Sequence, residues 1–192
     1  MKTKTLTATL FTAALGTALV GLAAGSVAAQ SETPAAKPIT IKLGVFLPSG
    51  SGLKDAVGKT WFSVGAEYDV PQSAGKSAAA QSSLTPLGYI DYAQNSKNGL
   101  RADYLGIGPG VRYTLAAPGT GTLIPYVGAG IGAYFLHASG LGGSSNKTDF
   151  GYRLNAGVEF SQSYLFEINY TDPGSLSGTQ FSGFNIQVGA KF

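Results

Sequence analysis

The sequence predicts an all-β fold: a transmembrane, antiparallel, up-and-down β-barrel of eight strands. Three observations carry this reading. In the last nine residues Phe184, Ile186, Val188, Ala190 and Phe192 are apolar and alternate with Asn185, Gln187, Gly189 and Lys191. That is the period of a strand with one apolar and one polar face. The same alternation recurs along the chain, in segments separated by turn-forming residues. Glycine makes up 28 of the 192 residues and sits within the segments as well as between them. This suits a narrow cylinder whose interior is crowded and whose wall must bend.

The N-terminus is consistent with export. Residues 1–29 read as a secretory signal peptide: Lys2 and Lys4 precede an uncharged apolar stretch from Leu6 to Ala24, and Val27-Ala28-Ala29 supplies the cleavage site. Residues 30–38 form a short lead-in containing Pro34 and Pro38, and residues 39–192 form the barrel. No later stretch reaches the ~20 apolar residues of a spanning helix. Removal of Lys2 and Lys4 lowers the formal net charge from +3 to +1, so no nucleic-acid partner is expected. The chain has no cysteine, which excludes disulfides and thiolate metal sites.

Strands are expected at Ile39–Leu47, Trp61–Val70, Leu84–Ala93, Leu100–Ala116, Leu123–Ala138, Phe150–Ser161, Tyr164–Thr171 and Phe181–Phe192. Asn95-Ser96-Lys97-Asn98-Gly99 closes one hairpin, and Ala117-Pro118-Gly119-Thr120-Gly121 closes another. Gln162 marks the tightest connection, and Asp172-Pro173-Gly174-Ser175 starts a loop. The connection from Pro71 to Ser83 is long for a turn, and part of it extends the neighbouring strands. Pro86 and Gly88 blur the phase of the third strand. Spanning strands need ~9–11 residues each, and an even number closes the sheet. With the C-terminus in the periplasm, the connections Pro48–Thr60, the Asn95 hairpin, Ser139–Thr148 and Asp172–Gln180 face outward. No amphipathic helix is visible.

The alternation assigns faces. Phe150, Tyr152, Leu154, Ala156, Val158 and Phe160 point to lipid, because Arg or Lys on that face costs roughly 2–4 kcal/mol at mid-bilayer. Arg153, Asn155 and Glu159 then point inward. By the same logic Ile41, Leu43, Val45, Val64, Ala66, Tyr68, Leu105, Ile107, Val111, Phe166, Ile168 and Tyr170 face out. The interior receives Lys42, Arg112, Arg153 and Lys191 against Glu67, Asp69, Glu159 and Glu167. A barrel of this size has an interior that side chains fill, so a salt-bridged, water-containing plug is expected. Tyr104, Tyr126 and Tyr134 share it. Tyr68, Tyr113, Phe150, Phe160, Tyr164 and Phe192 are expected to form aromatic girdles at the membrane interfaces.

These features, with the Tyr126–Tyr134 and Gly151–Phe160 strands and terminal Phe192, make the chain resemble the small outer-membrane barrels of the outer-membrane protein A, X and W type. The resemblance covers the whole of residues 30–192. It implies a place in the bacterial outer membrane among lipid and lipopolysaccharide, and a terminal strand (Phe184, Ile186, Val188, Phe192) read by the barrel-assembly machinery. It also implies a monomeric, porin-like barrel without a cofactor. The function expected is non-enzymatic: a structural or envelope-interaction role with a largely plugged interior. The alternatives are a small ion or solute channel, or an esterase.

Several motifs invite a chemical reading. Gly52 to Thr60 imitates a phosphate loop, but five residues separate its glycines where four are required, and no helix follows. The Gly106-x-Gly108-x-Gly110 and Gly128-x-Gly130-x-Gly132 runs place glycine on one strand face, making room inside. His137-Ala138-Ser139 resembles the His-x-Ser pair of lipid A 3-O-deacylase barrels. There the resemblance implies His137 as base and Ser139 as nucleophile, with an acid such as Asp149 to orient the ring. The sequence departs from that family at Gly140 and in its closing strands, which carry Asn169-Tyr170-Thr171. With one histidine and no cysteine, no metal site is expected. Lys54, Lys59, Lys97 and Lys147 are placed to meet lipopolysaccharide phosphates.

Overall fold

A computed structural model describes residues 37–71, 83–115, 123–140, 142–160 and 163–192. The signal peptide, most of the lead-in and of the Pro71–Ser83 connection, the Ala117–Gly121 turn and Gln162 lie outside the described residues.

The elements in chain order are β1 (Ile39–Pro48), α1 (Ser51–Val57), β2 (Trp61–Asp69), β3 (Ser83–Lys97), β4 (Leu100–Thr114), β5 (Leu123–Gly140), β6 (Gly143–Phe160), β7 (Tyr164–Asp172), β8 (Ser175–Leu176), β9 (Thr179–Gln180) and β10 (Gly183–Lys191). The antiparallel wall runs β1-β10-β7-β6-β5-β4-β3-β2 and closes on itself. Closure is made by β10 pairing with β1, from Thr40↔Lys191 to Pro48↔Gly183. It removes the free sheet edge that hydrocarbon cannot hydrate. No described helix is long and apolar enough to cross a membrane.

The expected face assignment holds at each position named. Leu43, Ile107, Phe150, Leu154, Ile168, Phe184 and Val188 are exposed on the outer wall. Lys42, Glu67, Arg112, Arg153, Glu167, Tyr104, Tyr126 and Tyr134 are buried inside. The wall is uneven in height. β6 meets β7 only from Tyr152↔Asp172 downward, so Gly143–Gly151 stand above that neighbour together with the paired end of β5.

Three loop expectations change. Ser139–Thr148 is not a loop: Ser139↔Ser144, Ala138↔Ser145 and His137↔Asn146 continue the β5–β6 ladder up to Gly140↔Gly143. Its Gly, Ser and Asn composition imitates a loop, but backbone pairing needs no particular side chain. The Asn95 hairpin narrows to a two-residue turn between Lys97↔Leu100. Asn98 and Gly99 have φ of 53° and 76°, the left-handed pair that matches strand twist. Pro48–Thr60 contains α1, whose Leu53 and Val57, one turn apart, are buried. At seven residues the helix is too short for its periodicity to show in sequence. The Asp172–Gln180 loop carries the small β8–β9 sheet.

Candidate functional site in the barrel interior

The interior has three storeys. At the end where β1 begins and β10 finishes lies an ionic layer. Lys42 of β1 sits opposite Gly65 of β2 and Gly189 of β10, and these two glycines leave the lysine stem its room. A Cβ at Gly189 would stand 3.0 Å from Lys42 Cγ. The Lys42 ammonium donates to Glu67 Oε1 at 2.8 Å and to Glu167 Oε1 at 2.7 Å. Glu67 also accepts from Arg112 Nη2 and Arg153 Nη2. One carboxylate on β2 thus binds cations from β1, β4 and β6. Arg112 Nη1 donates to both Asp69 oxygens at 2.9 Å. Lys191 donates to Glu159. Tyr126 and Asn155 donate to Glu167 Oε2, each at 2.9 Å.

All eight residues expected in this network enter it. A ninth, Asp91 of β3, was not foreseen; it accepts from Arg153 Nη1 at 2.9 Å and is buried. Arg153 also lies 4.0 Å from the centroid of the Tyr89 ring, and Arg112 lies 5.0 Å from that of Tyr126. Burial of such groups without partners would cost several kcal/mol per ion. Here each charge has an opposite charge within 4 Å.

Above the charges lies a layer of amides and hydroxyls. Ser63 donates to Asn185 Oδ1 at 2.8 Å, and Gln187 donates to Ser63 at 2.9 Å. Asn185 donates to Asn169 Oδ1 at 2.9 Å and to the Tyr104 hydroxyl at 3.2 Å. The third storey is aromatic. Phe46 packs edge-on to Trp61 and Tyr104, with centroids 5.4 and 5.2 Å apart, and Trp61 meets Phe181 at 6.1 Å. Leu53, Val57, Leu136 and Leu176 belong to the same buried cluster, so α1 and the β8–β9 sheet lie over the mouth opposite the start of β1. Phe46 shares the strand phase of Lys42, and Trp61 that of Glu67; Leu53, Leu176 and Phe181 join them from the connections, the last strand beginning at Gly183 and not at Phe181 as expected. A crevice of about 400 Å³ remains between α1, the β5–β6 tip and the β8–β9 sheet, with Leu53, Leu100, Leu176 and Phe181 among its walls.

The His137-Ala138-Ser139 segment lies on the raised end of β5. His137 Nδ1 bonds Asn146 Oδ1 across the ladder. Asp149 lies opposite Tyr134, on the face away from His137, and accepts from Lys147 at 2.6 Å. The expected acid does not reach the imidazole. Among the described residues no group of three or more His, Cys, Asp or Glu is arranged to hold a metal ion.

The sequence profile of the outer membrane protein beta-barrel domain family matches residues 15–192. No curated protein matches the chain. Among solved structures, Neisserial surface protein A shares 14% identity at a TM-score of 0.58, over 80% of this chain and 94% of that one. The outer membrane enzyme PagL shares 16% at 0.53, over 80% and 98%. The N-terminal β-barrel domain of Pseudomonas aeruginosa OprF shares 13% at 0.48, over 81% and 98%. At these identities the likeness is one of fold. With 178 consecutive positions matched, from residue 15 to the last, and a closed eight-stranded wall, the chain belongs to the outer membrane protein beta-barrel domain family of the bacterial outer membrane.

Proposed function

We propose that the protein is a non-enzymatic, non-conducting barrel that presents its outer connections to envelope lipids and external ligands. The observation that supports this reading is the stacking of buried side chains along the axis. An ionic layer, an amide layer and an aromatic layer follow one another along the axis, and α1 lies over the last. The eight foreseen charges and Asp91 act as a lock that ties non-adjacent strands, not as a solute path. Residues 1–29 serve export. Phe184, Ile186, Val188 and Phe192 address the chain to the assembly machinery, and the folded barrel is a monomer with its termini toward the periplasm.

Planar-bilayer recording tests the closed interior. The wild type is expected to give no steady openings. Steady openings that change in Arg112→Ala or Glu159→Ala would establish a channel instead. The separation of Asp149 from His137 supports the non-enzymatic part. His137→Asn is expected to leave lipid A acylation unchanged, and a loss of deacylation in that variant would restore the esterase reading.

A further inference from the structure

We propose that the outer wall of β1, β10 and β7 carries a fixed phospholipid site, with one acyl chain held in a trough over Ala190 and the headgroup phosphate at Lys37. The leaflet concerned is the one at the terminal end, periplasmic in the orientation proposed above.

The trough follows from side-chain size along the register. Ala190 lies between Ile41 of β1 and Tyr164 of β7, and Val188 lies between Leu43 and Phe166. A methyl group among such neighbours leaves a depression, which Phe160 and Phe192 bound at the terminal end. Its volume is about 500 Å³, and Gly189 and Leu165 contribute to its floor. From Val188 to Phe192 it follows about 14 Å of strand. Leu43, Tyr164, Val188 and Phe192 are exposed there, so the trough opens outward on the lipid-facing wall. Apolar walls give water no hydrogen-bond partners, and hydrocarbon is the medium at that surface. An extended acyl segment is therefore the occupant that fits.

Beyond the terminal end of the trough stands one ammonium. Lys37 Nζ donates to Ser163 Oγ at 2.8 Å, and Ser163 precedes Tyr164 of the trough wall. Ile39, two residues after Lys37, exchanges backbone hydrogen bonds with Phe192 at 3.3 and 2.8 Å. The ammonium therefore stands where the chain leaves the wall, with donors beyond the one that Ser163 uses. A phosphate ester joined to an acyl chain satisfies both ends, whereas a free phosphate satisfies one.

Native mass spectrometry of the detergent-folded protein with phosphatidylethanolamine tests this, with folding of each variant checked by heat-dependent gel mobility. The wild type is expected to retain one lipid. Ala190→Leu, which fills the trough, is expected to reduce retention at least tenfold, while Ala129→Leu, an outward small residue on β5, leaves it unchanged. Lys37→Gln weakens it about fivefold, the weight of one basic residue at a membrane surface. Glycerophosphoethanolamine, which has no chains, is not retained. Should Ala190→Leu fail to fold, Ala190→Val carries the same test. Equal retention in the Ala190 variant and the wild type overturns the proposal, as does a wild type that holds no lipid. A dimer abolished by Ala190→Leu also overturns it, because the trough would then hold a second copy. None of these outcomes bears on conductance, so the filled-interior reading stands or falls separately.

Discussion

Replacing Glu67 by Gln removes the charge that three cations share while keeping the side chain's shape. In the wild type Lys42, Arg112 and Arg153 all donate to this carboxylate. Three charge-assisted bonds at ~1.5–3 kcal/mol each set an upper bound of roughly 5–9 kcal/mol. Each cation keeps a second carboxylate: Glu167 at 2.7 Å from Lys42, Asp69 at 2.9 Å from Arg112, and Asp91 at 2.9 Å from Arg153. The amide oxygen also still accepts. The expected loss is therefore about 3–5 kcal/mol, the range for removing one partner of a buried ion pair. At a urea slope of ~2 kcal/mol per molar, the unfolding midpoint in lipid vesicles falls by roughly 2 M. Asp103→Asn is the control: its partner Arg101 is half exposed, and loss of such a pair costs under ~1 kcal/mol. A Glu67→Gln midpoint no lower than that of Asp103→Asn would refute the claim that the shared carboxylate holds the interior together.

Two further outcomes follow from the packing. Trp61, the one tryptophan of the chain, is fully buried in the aromatic storey; its emission is expected to be blue-shifted and weakly quenched by both aqueous iodide and brominated acyl chains. Strong lipid quenching would put it on the outer face. Gly157→Val is expected to destabilise by ~1–3 kcal/mol, because a Cβ there would stand 2.5 Å from the Tyr126 hydroxyl and 2.6 Å from the Phe166 carbonyl oxygen; an unchanged urea midpoint would contradict that crowding.

The sequence was most legible where charge and apolar character disagree within one strand. Lys42 between Ile41 and Leu43, or Arg153 between Tyr152 and Leu154, leaves one assignment compatible with lipid. β3 inverted that signal. Its inward positions include Leu87 and Tyr89, which are buried, while Pro86 and Gly88 take the outward phase. Apolar residues therefore occupy both faces, which blurs the phase, and Asp91 went unassigned. The raised part of the β5–β6 hairpin was hidden for another reason. Outside hydrocarbon neither face need be apolar, so the alternation that marks a spanning strand is absent although the ladder continues. The interior cap was hidden because α1 is short and because its partners Leu176 and Phe181 lie far along the chain. Nothing local encodes that meeting.

The shared carboxylate also constrains how the molecule can come into being. Glu67 belongs to β2, whose wall neighbours are β1 and β3, yet two of its three cations reach it across the lumen from β4 and β6. A hairpin threaded into the bilayer by itself would carry bare charge through hydrocarbon. The full set of ion-pair partners is assembled only when the circle is complete, so insertion and closure are coupled, and a half-built sheet has no comfortable resting place in the membrane.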